Sequence, residues 1–229
     1  MRHLFRFLAV MLLVAGTAAA EDARVITTNG QGSVETVPDM ATIRLGVTHE
    51  DANASNAMAA TSEGVGAILR RLSEAGIAPR DMQTDNISLQ PVWSNRGSNN
   101  NTPAKITGFV ASNTLTVRVR DLEALGGILD LVVSDGANTF NGLSFGLQEP
   151  KPAQDAARAQ AVRDAIDRAQ QLADAAGVTL GPIQSISEQG RVGRPQMMEM
   201  AAARQMDAPV AAGELTVTAQ VGIVFAIVD

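Results

Sequence analysis

Residues 215–227 read LTVTAQVGIVFAI, and their alternation decides the fold class. Leu215, Val217, Ala219, Val221, Ile223, Phe225 and Ile227 occupy every second position, with Thr216, Thr218 and Gln220 among the residues between them. Successive side chains of a strand point to opposite faces. Period two therefore marks a strand with one buried face and one wet or otherwise covered face, as in antiparallel sheets. The same pattern recurs upstream. Leu115, Val117 and Val119 alternate with Thr116, Arg118 and Arg120, and Ala41, Ile43, Leu45 and Val47 alternate with Thr42, Arg44, Gly46 and Thr48. Weaker strand patterns cover residues 25–37, 83–92, 140–147 and 183–188.

Three helical periods interrupt the strands. The first, over about 52–75, places Ala54, Met58, Thr61, Val65, Ile68 and Leu72 on one face, with Gly76 as its C-cap. The second opens at Asp121 as N-cap, buries Leu122, Leu125, Ile128, Leu129 and Val132, and ends at Gly136. The third, over about 153–176, carries a stripe of Ala157, Ala161, Ala165, Ala169, Ala173 and Ala176 flanked by Val162, Ile166 and Leu172, and Gly177 ends it. Such a stripe lets a helix lie close to a sheet, while Arg158, Arg163, Asp164, Asp167 and Arg168 keep the opposite face in water. Residues 94–104 and 189–213 read as loops, and Pro38-Asp39 separates two strands. Gly30-Gln31-Gly32 has part of the look of a phosphate-binding glycine loop. It lacks a third glycine and a following helix, so a β-bulge accounts for it better. The expected architecture is α+β: an antiparallel β-sheet with about three packed helices in a single domain spanning residues 21–229.

The N-terminus predicts the compartment. Arg2 and Arg6 precede an apolar run over residues 8–15, and Ala18-Ala19-Ala20 supplies the small side chains a signal peptidase accepts. Residues 1–20 thus read as a secretory signal peptide, the run being shorter than the ~20 residues that span a bilayer. Its removal takes the formal charge from −6 to −8 by loss of Arg2 and Arg6. An acidic chain without basic runs offers nucleic acid no electrostatic footprint. With no cysteine, no disulfide framework is available, and the fold must rest on its core.

Catalytic side chains are scarce. Of two histidines His3 leaves with the signal, so His49 alone remains, and there is neither tyrosine nor a Gly-x-Ser-x-Gly elbow. His49 reads as an exposed residue at a strand end. Zinc sites of several His or Cys ligands are excluded. The 24 acidic residues could supply a carboxylate pair for a hydrolase, and Asp130, Asp135, Glu149 and Asp155 cluster in sequence, although capping and turns explain them more simply. Sugar-gripping aromatics are few: Trp93, Phe109, Phe140, Phe145 and Phe225. Met197, Met198, Met200 and Met206 could hold Cu(I) or absorb oxidant, against the plainer reading of a flexible segment that packs on a neighbour. No catalytic, cofactor-binding or metal residue is assigned, and no cofactor is expected.

Several motifs in order carry a family resemblance. Gly30-Gln31-Gly32, residues 37–41 (VPDMA) and Leu45-Gly46-Val47 come first, followed by residues 83–91 (QTDNISLQP) and 106–113 (ITGFVASN). Gly136-Ala137-Asn138, Gly142-Leu143-Ser144-Phe145, residues 175–178 (AAGV) and 209–214 (PVAAGE) complete the series. Together they resemble the SIMPL-domain family of bacterial envelope proteins over nearly all of residues 24–228. Departures are Phe109 and Val92-Trp93, where relatives often carry tyrosine. The resemblance implies an α+β fold, a periplasmic or outer-membrane-associated location and homo-oligomers in some relatives. It also implies links to oxidative and envelope stress without an agreed enzymatic activity. The expectation is an exported, self-assembling, non-enzymatic protein without nucleic-acid partner or transmembrane segment.

Overall fold

A computed structural model describes residues 24–94, 103–188, 196–197 and 211–228. The signal-like segment, the tip of the first loop and Met198, Met200 and Met206 lie outside the described residues. Eight strands and three helices follow in the order β1 (Val25–Thr36), β2 (Met40–Asp51), α1 (Ala54–Glu74), β3 (Met82–Trp93), β4 (Ile106–Val119), α2 (Leu125–Ser134), β5 (Thr139–Gly146), α3 (Lys151–Ala176), β6 (Thr179–Glu188), β7 (Gln196–Met197) and β8 (Leu215–Val228). A 3₁₀ turn, Pro79–Asp81, leads into β3. The α+β expectation holds, but the strands divide between two antiparallel sheets, each with its own core. No helix among the described residues is long and apolar enough to cross a membrane.

The larger sheet has the order β3-β4-β2-β5, with α1 crossing from β2 to β3 and α2 from β4 to β5. That is the βαββαβ split arrangement of ferredoxin-like folds. Both helices share one core with the sheet: Val65, Ile68 and Leu72 of α1 and Leu125, Ile128 and Val132 of α2 meet Ile43, Leu45, Val47, Leu115, Val117 and Val119. The buried face of α1 includes Ala57, while Ala54 and Met58 are only half-buried. Gly76 follows the C-cap at φ +89°, the left-handed turn that glycine tolerates best. Asp121 does not cap α2. Its carboxylate accepts from Glu123 N at 3.0 Å, closing a turn, and the helix starts four residues later at Leu125 behind the uncapped Ala124.

The smaller sheet, β1-β8-β6 with β7 also on β8, packs on α3. Ala157, Ala161, Ala165, Ala169 and Ala173 are wholly buried against it, whereas Ala176, Ile166 and Leu172 are exposed. The glycines of β1 are not a bulge, because β1 pairs with β8 without a register shift from Val25 to Thr36. They make room instead. A Cβ on Gly30 would sit 2.0 Å from the Ala161 carbonyl oxygen, and one on Gly32 would sit 1.9 Å from that of Ala157. Helix and strand backbones therefore touch.

A polar knot ties the two halves where the chain crosses between them. Asp39, between β1 and β2, accepts from Gln148 N at 2.7 Å, and its carbonyl accepts from Gln148 Nε2 at 2.8 Å. Gln148, between β5 and α3, accepts at Oε1 from Arg120, whose Nε and Nη2 grip the buried Asp81 carboxylate at 2.8 and 2.7 Å. The Arg120 bonds hold the Asp81 carboxyl below the usual carboxylate range against the opposing pull of burial.

Three expected outcomes follow. Gly30→Ala or Gly32→Ala destabilises the protein by about 3 kcal/mol through backbone overpacking. Gly126→Ala in α2, where a Cβ meets open space, stabilises it by ~0.5–1 kcal/mol. Urea unfolding measures both signs. Because the Asp81 pKa is depressed on folding, its contribution is complete above the unfolded value near 3.8 and is lost as pH falls through the lower folded value. Arg120→Ala therefore lowers the urea midpoint at pH 7, and the gap from wild type narrows when the titration is repeated at pH 3.

Candidate functional site

The structure disperses the groups that the sequence offered for catalysis. His49 sits near the outer end of β2, exposed, in register with Ala111 of β4. Asp130 lies on α2, and Asp135 at its end accepts from Arg71 Nε at 2.9 Å. Asp155 lies on α3, in the other half, paired with Lys151 and Arg158. Among the described residues no three His, Asp or Glu side chains gather as a metal-holding group. Asp81, Asp85, Asp155 and Asp164 all have lowered pKa values, held down first by Arg120, Thr116, Lys151 and the Gln31 amide respectively. A general acid needs the opposite shift.

Two surfaces among the described residues stand out that sequence reasoning did not single out. The first is a cleft of about 330 Å³ between the end of α1, the 3₁₀ turn, the end of β4 and the start of α2. Arg80, Arg118 and Arg120 line it with Asp81 and Asp121, and of its apolar residues Ile77 and Ala124 reach the surface while Val119 and Ile128 are buried behind it. Arg120 is committed to Asp81, and Arg80 Nε lies 3.9 Å from the same carboxylate. Arg118 also draws on Asp81 electrostatically, yet makes no ion pair of its own among the described residues. The Arg118-x-Arg120 spacing marked only a wet strand face. The cluster forms because the 3₁₀ turn delivers Arg80 and Asp81 beside the end of β4.

The second surface is the outer part of β3. Leu89 pairs with Ala111 and Ile87 with Asn113, both buried on the α1 side of the sheet. Cross-strand partners share a face, so Ile87 and Leu89 point to the same side as α1. The helix packs chiefly on β2 and β4 and touches β3 only slightly. Ile87 and Leu89 stay 56% and 42% exposed, and the Trp93–Ile106 cross-strand pair is 54% and 48% exposed.

The four outer strands of the two sheets are treated unequally. The β1 edge is closed by α3: Gln31 N donates to Asp164 at 2.8 Å and Ser33 N to Gln160 at 3.1 Å. Strand β5 is eight residues long and carries a register shift, with Gly142 at φ +134°. Two register shifts and Pro182 interrupt β6. Strand β3 carries Pro91 and two register shifts of its own, but the shifts fall near its ends and Asn86 to Val92 stay in register with β4, while its other edge pairs with no strand among the described residues.

Comparison with known proteins places the chain in a family. The sequence profile of the SIMPL family, described as a protein of unknown function (DUF541), matches residues 26–225. The 26 kDa periplasmic immunogenic protein of Brucella melitensis is 39% identical over 215 residues, covering 90% of this chain and 86% of that protein. The uncharacterized protein YggE of Edwardsiella ictaluri is 31% identical over 185 residues, 78% of this chain and 76% of its own length. YggE of Escherichia coli K12 is 31% identical over 183 residues, 78% and 73%. None of these names states a reaction. With a match across both sheets and all three helices, the chain belongs to the SIMPL family.

Proposed function

We propose that this protein is exported to the periplasm, loses residues 1–20, and works there as a self-assembling, non-enzymatic SIMPL domain of residues 21–229 that protects the envelope under stress. Export is supported by the three-part N-terminus and by the word periplasmic in the name of the Brucella relative. Assembly is carried by one observation: β3 keeps Asn86 to Gln90 in unbroken register with β4, ahead of Pro91, on an uncovered edge beside the exposed Ile87 and Leu89. A long edge of that kind is a template for another strand, and proteins that must remain single chains blunt such edges with helices, bulges or charge. This molecule covers β1 with a helix, keeps β5 short and shifted, and breaks β6 near its middle, whereas the register shifts of β3 fall near its two ends.

Light scattering of the exported form over a range of concentrations tests the proposal. The expected species is larger than one chain, and Ile87→Lys with Leu89→Lys shifts it toward single chains by adding charge and desolvation cost at the edge. Both residues are exposed within the single chain, so the double variant still unfolds cooperatively in urea, its midpoint lowered only by the stability that assembly adds. A single-chain mass at every concentration sinks the idea.

A further inference from the structure

The chain contains two Asn-Gly dipeptides, Asn29-Gly30 and Asn141-Gly142, and the fold treats them in opposite ways. Asparagine before glycine is chemically fragile, because no side chain shields the following main-chain nitrogen from the asparagine's own side-chain carbonyl. Within a fold, the attack requires that the glycine peptide can swing toward that carbonyl.

Around Asn29-Gly30 it is blocked. Both residues keep register with β8, opposite Gly222 and Val221. A Cβ on Gly30 would lie 2.0 Å from the Ala161 carbonyl oxygen, so α3 sits directly on the peptide that must turn. Arg168 Nη1 also pins the Asn29 carbonyl at 3.2 Å. The setting of Asn141-Gly142 is open. It lies on β5, an outer strand of the larger sheet, at the point where the register with β2 shifts: Arg44 faces Gly142, Leu45 faces Phe140, and Asn141 is skipped. A skipped residue stands outside the ladder, so less pairing opposes its turning. Asn141 is exposed, Gly142 has φ +134°, and a Cβ built on Gly142 meets nothing within 4 Å. Asp135-Gly136 could follow related chemistry, but Arg71 Nε holds its carboxylate at 2.9 Å and the Gly136 amide donates to the Val133 carbonyl at 3.3 Å.

We propose that Asn141 is a site of spontaneous modification, converting to aspartate and isoaspartate through a cyclic imide while Asn29 in the same molecule stays intact. The Gly142 main-chain nitrogen gives its proton to solvent base and bonds to the Asn141 side-chain carbonyl carbon. The bond from that carbon to Nδ2 breaks, and the nitrogen takes up a proton and leaves as ammonia. Water then opens the imide ring at either carbonyl. Water is the sole co-reactant, and nothing is oxidised or reduced. The product adds a negative charge to the β5 edge, and its isoaspartate form also lengthens the main chain by one carbon. Strand β5 then holds β2 less well beside Arg44 and Leu45.

The test keeps the exported form in mildly alkaline buffer for days and then digests it with trypsin. Fragments 25–44 and 121–158 carry one Asn-Gly each. From folded protein, fragment 121–158 gains about one dalton at position 141 and becomes a substrate for isoaspartyl methyltransferase. Its conversion is at least tenfold faster than that of fragment 25–44. In guanidinium chloride the protection of Asn29 is lost, and the two rates come within about twofold of each other. Asn141→Gln abolishes the change in fragment 121–158 and leaves fragment 25–44 as it was. In converted protein, amide hydrogen exchange quickens over residues 139–146 and not across β1 and β8. Equal rates for the two fragments in folded protein overturn the proposal. So does conversion at Asn138 in place of Asn141, or a folded protein that stays intact while the denatured chain converts. The site lies across the sheet from the β3 edge, and the fragments report it whatever the mass of the intact species.

Discussion

The structure depends on a match of spacing between α3 and β1. Along an α-helix, residues four apart advance by about 6.0 Å. Along an antiparallel strand, residues two apart advance by about 6.8 Å, or less when the strand twists. Running in opposite directions, the two elements stay in step for three rungs. The carbonyl of Ala157 meets Gly32, that of Ala161 meets Gly30, and that of Ala165 accepts from Thr28 Oγ1 at 2.9 Å. One position round the helix, the side chains repeat the rhythm: Gln160 takes the Ser33 amide, Asp164 the Gln31 amide, and Arg168 Nη1 donates to the Asn29 carbonyl at 3.2 Å. This contact needs alanine on the helix and glycine on the strand. Anything larger would lift α3 until its polar side chains no longer reached the strand edge. Core and edge protection are thus one device in the smaller half.

The polar knot has the same economy in the space between the halves. Each half buries its own apolar side chains, so hydrophobic burial alone does not set how the two chain crossings meet. Gln148 does so by donating to both Asp39 and Arg120 backbone carbonyls while accepting from the Arg120 side chain. Asp81, fixed beneath, keeps that guanidinium from swinging into water. A buried carboxylate is costly without its partner. The arrangement therefore favours a single placement of Arg120, and with it the wall of the adjacent cleft.

These devices also explain what sequence reading reached and where it stopped. Strands β2, β4 and β8 announce themselves because each has one face on helices and one in water, and the end of α3 at Gly177 is written in its left-handed φ of +68°. The split into two sheets leaves no local trace, since both sheets use the same period of two. Gly30 and Gly32 were legible as special but not in kind: the atoms they make room for lie about 130 residues away. Asp121 has the residue type of a cap, yet a turn closed by Glu123 uses its carboxylate first. Ile166 and Leu172 looked like core flanks. They are exposed because backbone contact leaves no depth beside the alanine stripe for larger side chains. The candidate surfaces were hidden for the same reason of distance, Arg80 and Asp81 meeting Arg118 and Arg120 only through the pairing of β3 with β4.

The unequal treatment of edges follows from where each helix can reach. Helix α3 lies along β1, so its side chains close that edge at no cost in core packing. Helices α1 and α2 must together cover a four-stranded sheet, and the split topology places both crossovers over the inner strands, because each helix joins an inner strand to an outer one. α1 accordingly centres on β2 and β4, where Gly64 lets it settle on Val47 and Thr61 Oγ1 reaches the Ala111 carbonyl at 3.2 Å. The outer strand β3 is left with apolar side chains on the helix face and no helix over them. A third helix on that face would have covered Ile87 and Leu89, but this chain places its third helix on the other sheet. In this topology an uncovered β3 is the geometric consequence of giving β1 a helix of its own, which ties the closed surface of one half to the open surface of the other.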